Sequence, residues 1–177
     1  MRPAPRSVPQ IVIPVGKSGN WTVERFQVSK SDSEFTRIRA MLKGRGYVPE
    51  GEYTALKHKG EIIMSNTPDE MRDYRYAVVA ANHYGGDVLI NGLGLGLVLN
   101  EILSLKNVDQ VTVIEKSMDV IRLVSKHFFH KGQEKLSIIH VDAFTWKPPR
   151  GTHYSVVWHD IWTTICGDND SEMSFLR

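Results

Sequence analysis

The sequence holds a single cysteine, Cys166, among its 177 residues. An internal disulfide and a multi-cysteine zinc site are therefore excluded. No apolar run approaches the roughly 18–20 residues that a bilayer-spanning helix needs; stretches such as Ala77 to Ala81 are far shorter. The opening MRPAPRSVPQ carries two arginines but no apolar segment behind them. A secretory signal is thus not expected, and the expected location is cytoplasmic. One-signed charge is also scarce: 22 Lys+Arg against 20 Asp+Glu leave a net +2. That balance gives no ground for expecting a nucleic-acid partner. Internal repeats and low-complexity segments are absent.

The composition that is present, 41% apolar and 24% charged, is that of a folded globular chain. The length suits one domain, or one domain with a small appendage. Charge is unevenly spread. Residues 1–60 hold 11 Lys/Arg against 5 Asp/Glu, whereas residues 61–177 hold 11 against 15.

Two regions emerge from the pattern. In residues 1–66, IVIPV (11–15) and WTVERFQV (21–28) read as strands around the turn KSGN. A helix EFTRIRAMLK follows a capping box from Ser31 to Glu34, and Gly44 stops it. EYTALKH and GEIIMS read as a hairpin turning at Lys59-Gly60. From Thr67 the pattern changes. Thr67-Pro68-Asp69-Glu70 starts a helix expected to reach about His83. Strands at 87–91, 110–115, 136–141 and 153–159 then alternate with helices at 97–105 and 117–130. Continuous β-branched runs between helices predict a parallel sheet covered on both faces. The expected division is a β-rich N-terminal region, 1–66, and an α/β domain, 67–177.

The strongest signal lies at VLINGLGLGLVLNEIL. Gly92, Gly94 and Gly96 follow a buried strand directly and open a helix. Glycines allow a tight turn and a close approach to a ligand, and the helix start offers free N–H groups. The next strand ends in Glu115, 19 residues after Gly96. An acid at that strand tip can accept from both ribose hydroxyls of an adenosine ligand. The NAD spacing G-x-G-x-x-G is not met, because position 97 is Leu. No G-K-[ST] follows, which excludes an ATP P-loop.

The G-x-G-x-G loop with a later acid resembles the class I S-adenosylmethionine (SAM) dependent methyltransferases. That resemblance implies a Rossmann-like fold and SAM as the cofactor. It implies contacts from Asn91, Gly92, Leu93, Gly94 and Gly96 in the loop, and from Glu115 and Lys116 after the second strand. Asp142 and Ala143, in IIHVDAF, would meet the adenine after the third. Asp160, in WHDIW, would face the acceptor as the catalytic residue, since ligands lie outside the carboxyl ends of parallel strands.

Within that superfamily the chain resembles the spermidine synthase-like branch. GEIIMSNTPDEMRDY matches its hairpin and acidic helix, and Leu89-Ile90 its aliphatic pair before the glycines. The TPDE…GLGLG…DIW pattern is also similar to uncharacterised methyltransferase-like proteins of bacteriophages. The branch's glycine loop has an aspartate where this chain has Leu95, and its hairpin a glutamine where this chain has Met64. Three functions are weighed: methyl transfer to an unidentified acceptor, aminopropyl transfer from decarboxylated SAM, and a non-catalytic SAM-fold binding module.

Further candidates are Trp158 and Trp162 as walls of an acceptor pocket, and Arg72 and Arg75 as partners for an anion. His159 is expected to point away from the site. His127 and His130 form a weak metal-ligand pair, and no metal is expected. Cys166 has no neighbouring base and is not expected to be a nucleophile. Only 17 residues follow Asp160, too few for the later strands of the superfamily's sheet. The sheet is therefore expected to be shortened after its fourth strand. Its exposed edge is expected to be covered by the N-terminal region or by a second subunit of a homo-oligomer.

Overall fold

The structure, a computed structural model, describes residues 11–129, 134–162 and 170–176. Its elements are β1 (Gly16–Ser18), β2 (Trp21–Val28), α1 (Lys30–Lys43), β3 (Gly51–His58) and β4 (Glu61–Ser65), followed by α2 (Pro68–Asp73) and α3 (Arg75–Tyr84). Then come β5 (Gly86–Asn91), α4 (Leu97–Leu103), β6 (Val108–Glu115), α5 (Met118–Val124), β7 (Leu136–His140), β8 (Val156–His159) and α6 (Asp170–Phe175). A single 3-10 turn at Ser125–His127 extends α5.

The first four strands form an antiparallel meander in the order β1-β2-β3-β4. Its hairpins sit at Gly19-Asn20 and at Lys59-Gly60, where Lys59 and Gly60 both take positive φ, as a two-residue hairpin turn requires. The last four strands form a parallel sheet in the order β7-β6-β5-β8. Val88 and Ile90 on β5 and Val111 and Val113 on β6 are fully buried on one face, and Leu89 and Ile114 are buried on the other, as strands covered on both faces must be. The chain runs outward from β5 through β6 to β7, then returns to place β8 on the other side of β5. This is a Rossmann-like α/β arrangement. Its switch of direction opens a crevice above the carboxyl ends of β5, β6 and β8. One core joins both sheets: Ile13, Val23 and Leu56 of the N-terminal region pack in the same apolar cluster as α3, α4 and α5.

Several local expectations are corrected. Residues 11–15 are not a strand; Ile13 is buried in the core, Pro14 has no N–H for a ladder, and pairing begins only at Gly16. The cap of α1 is Ser29, not Ser31: Ser29 Oγ accepts from the Asp32 N–H at 3.2 Å. Thr67 stands at the N-cap of α2 but its side chain makes no capping hydrogen bond, and the Glu70 carboxylate turns to Ser65, accepting from its N–H and its hydroxyl, each at 2.6 Å. The expected helix 67–83 breaks at Tyr74. That ring is buried and its hydroxyl donates to Glu101 at 3.0 Å. Helices α4 and α5 are shorter than expected.

β8 lies at an edge of the parallel sheet. Among the described residues the N-terminal strands pair only with one another, so none of them adds a strand to that edge. His130 and Cys166 lie outside the described residues. Among the described residues no cluster of three metal-ligating side chains occurs, and no helix is long and apolar enough to cross a membrane.

Candidate functional site

A cavity of about 330 Å³ opens above the carboxyl ends of the parallel strands. Such a volume suits a small-molecule ligand. Seven of the residues expected to bind the cofactor or to be catalytic line it: Gly92, Gly94, Glu115, Lys116, Asp142, Ala143 and Asp160. They arrive from four separate strand ends, which is how a parallel sheet converges distant residues on one point.

The glycine loop is shaped by close approach. A Cβ on Gly92 would collide with the Asp160 carbonyl, so the glycine lets the end of β5 meet the end of β8. At Gly94 the Met64 sulfur occupies the place a side chain would take. The Leu95 N–H donates to that same Met64 Sδ at 3.2 Å. Gly96 plays a different part. It caps α4 with φ +71°, and a Cβ there would strike the ring of Phe128. It fits the helix against α5 and does not line the cavity.

Asn91 and Leu93 also lie behind the cavity wall. Leu93 is buried in the core, and its N–H donates to Glu115 Oε2 at 2.9 Å. Asn91 turns to β8, where its Nδ2 lies 2.9 Å from His159 Nδ1. Leu95, at 1% exposure, points into the core and not at the cavity.

Glu115 is buried, and both its oxygens accept backbone donors: Leu93 N–H, and Ser117 N–H at 2.7 Å to Oε1. A carboxylate oxygen can accept two hydrogen bonds, so each keeps capacity for a hydroxyl. Asp142 Oδ1 accepts from the Phe144 N–H at 2.9 Å, holding its turn. Neighbouring Lys116 is fixed through its carbonyl, 3.1 Å from His140 Nε2.

Asp160 is held by its own N–H, which donates to the Asn91 carbonyl at 2.7 Å. Burial, then the negative charges of Glu70 and Asp73, push its carboxyl up to about 6. It therefore changes protonation close to neutral pH. Burial also pushes His159 down, favouring the neutral ring.

The opposite wall comes from the N-terminal sheet: Trp21, Leu56, Ile63 and Met64. Trp162 and Glu172 complete it, joined by a 2.5 Å hydrogen bond from Trp162 Nε1 to Glu172 Oε2. Trp162 thus stands where expected, whereas Trp158 packs against the core with its Nε1 buried and unpaired. Arg72 pairs with Asp69 on α2, and neither Arg72 nor Arg75 lines the cavity. Sequence reasoning missed Trp21, Leu56, Ile63 and Glu172. The lone tryptophan of the N-terminal region was the available signal; nothing local marked the others.

No protein-family model matches the chain, and no curated protein matches it. Among solved structures that match is a dimethyladenosine transferase from Plasmodium falciparum, with 22% identity and a TM-score of 0.43. The match covers 56% of this chain and 34% of that one.

Proposed function

We propose that the cavity binds SAM and that the chain is a methyltransferase-like protein acting on an acceptor held between Asp160 and the N-terminal sheet. One observation carries this reading. The glycine-loop backbone, an acid at the next strand tip, the Asp142-Ala143 turn and Asp160 all line one cavity at the switch point of a Rossmann-like sheet.

The residues present fit such a ligand. Gly92 and Gly94 leave backbone open to its methionine part. Glu115 keeps acceptor capacity for two ribose hydroxyls, and the Asp142–Phe144 turn lies where an adenine edge would be read. SAM supplies a methyl group on a sulfonium that already leaves readily, so the protein's main task is alignment. Asp160, near-neutral in its titration, is suited to orient an acceptor N–H or O–H and to take its proton.

A second reading, a non-catalytic SAM-fold module, is favoured by one feature. Both Glu115 oxygens already serve the backbone, as a purely structural acid would. Aminopropyl transfer and membership of the spermidine synthase-like branch gain nothing from Leu95, which faces the core.

The test is calorimetric titration of the full chain with SAM, its demethylated product and decarboxylated SAM. SAM and product are expected to bind, with the decarboxylated form weaker. Glu115→Ala should weaken SAM binding by at least about tenfold. Preference for the decarboxylated form would instead indicate aminopropyl transfer. Silence from all three ligands would overturn the proposal.

A further inference from the structure

The described residues include five methionines: Met41, Met64, Met71, Met118 and Met173. A thioether is a soft, oxidisable group, and what its oxidation does depends on what the sulfur touches. Met41 and Met118 are exposed to 76% and 38%, and neither lines the cavity. Met71 packs against the core from α2. Met64 is the one of the five that lines the cavity, and its sulfur accepts the Leu95 N–H. It is partly buried, and the cavity is the way by which a small oxidant reaches it.

The sulfur is closely held on two sides. A hydrogen bond from N–H to oxygen needs about 2.9 Å between nitrogen and oxygen. The Leu95 nitrogen already stands 3.2 Å from the sulfur itself. An oxygen added to the sulfur on that side has no place unless the loop withdraws. Towards Gly94 the space is smaller still: a Cβ there would lie 2.6 Å from the sulfur. On the side left open, a new oxygen stands in the cavity, beside the apolar wall of Leu56 and Ile63. Each placement therefore either displaces the glycine loop or puts a polar group into the ligand's space.

We propose that Met64 is an oxidation site, and that its conversion to the sulfoxide by hydrogen peroxide displaces the glycine loop and weakens binding in the cavity. The sulfur lone pair attacks one peroxide oxygen, the O–O bond breaks, and the departing hydroxide takes the remaining hydroxyl proton to leave as water. The thioether loses two electrons and the peroxide gains them. Sulfoxide reductases reverse the step. The effect on SAM rests on the reading of the cavity given above; the effect on the loop does not.

The full chain is treated with hydrogen peroxide and mapped by mass spectrometry, where Met64 should gain one oxygen. Amide hydrogen exchange should then rise across residues 92–96, and should not rise in Met64→Leu treated alike. Calorimetric SAM affinity should fall by at least about tenfold on oxidation and recover after sulfoxide reductases A and B. Met64→Leu starts weaker, because the Leu95 N–H loses its acceptor, and peroxide should leave its affinity where it started. Met41→Leu combined with Met118→Leu should respond as the wild type does. The proposal is overturned if Met64 stays unoxidised while Met118 is converted. It is also overturned if Met64 oxidation leaves exchange across 92–96 unchanged or lower, or if peroxide costs Met64→Leu as much affinity as the wild type. Should the untreated chain bind no SAM, the reading of the cavity fails, and exchange across the loop still decides the proposal.

Discussion

Helices α1 and α4 both carry large apolar side chains, four of fourteen residues in α1 and five of seven in α4, and these side chains meet opposite fates. α4 buries five of its seven residues, Leu97, Val98, Leu99, Ile102 and Leu103. α1 buries one of fourteen, Ser33. The difference lies in their connections. α4 is threaded between β5 and β6, two central strands, so its sides are covered by the sheet and by α3. α1 leaves and re-enters an antiparallel meander that needs no crossover, so nothing obliges it to lie over a sheet face. Apolar content therefore tells how much a helix wants to bury, and topology tells whether this chain supplies the cover.

The sharpest way to break the comparison is at the start of α4. Gly96→Ala would force an alanine into left-handed backbone and against the Phe128 ring. Together these should cost about 3–5 kcal/mol of unfolding free energy, read by urea titration. The same deletion made in each helix then isolates topology. Ile102→Ala should cost about 3 kcal/mol, because that side chain is wholly buried. Ile38→Ala should stay within about 0.5 kcal/mol, measured under conditions where the chain is monomeric. Equal costs at the two isoleucines would show that α1 is covered within the monomer.

A smaller but pH-dependent effect is expected where β8 meets the cavity. Asp160 holds its proton more tightly folded than unfolded, so its contribution favours the fold at acid pH. That contribution is lost as pH rises from the ordinary aspartate value of 3.8 to about 6. Asp160→Asn should therefore stabilise the fold by about 1–2 kcal/mol near pH 7.5, after allowance for solvent screening, and by little near pH 4. Urea unfolding at the two pH values checks the sign. An asparagine variant less stable at the higher pH would show that the ionised carboxylate has a partner in the fold.

What could be read from sequence was what neighbouring residues decide. WTVERFQV became β2 at the bounds its pattern set, and Lys59-Gly60 turned the hairpin between β3 and β4. The run of strands and helices after Thr67 likewise gave a parallel sheet. What failed was decided at a distance. Ser29 and Ser31 each precede an acid by three residues, so local chemistry offers two caps, and the fold takes the first. α2 ends at Tyr74, whose hydroxyl bonds Glu101, 27 residues away. The site was legible on its loop side, where glycines and acids cluster next to strand ends. Which loop residues turn inward was not. Leu93, Leu95 and Gly96 alternate along the loop with Gly92 and Gly94, and only the packing of Phe128 and Met64 separates structural positions from cavity positions. The far wall was invisible because Trp21 and Leu56 come from a different sheet.

The sulfur of Met64 has a consequence for how this fold can change. It accepts the Leu95 N–H, fills the space above Gly94 and lines the cavity. One side chain from the N-terminal meander therefore acts as a mould for the loop of the other sheet. An exchange of the meander between related chains would not simply fit a new lid onto an old site. It would recast the loop as well, so the two sheets must be inherited, or engineered, as a matched pair.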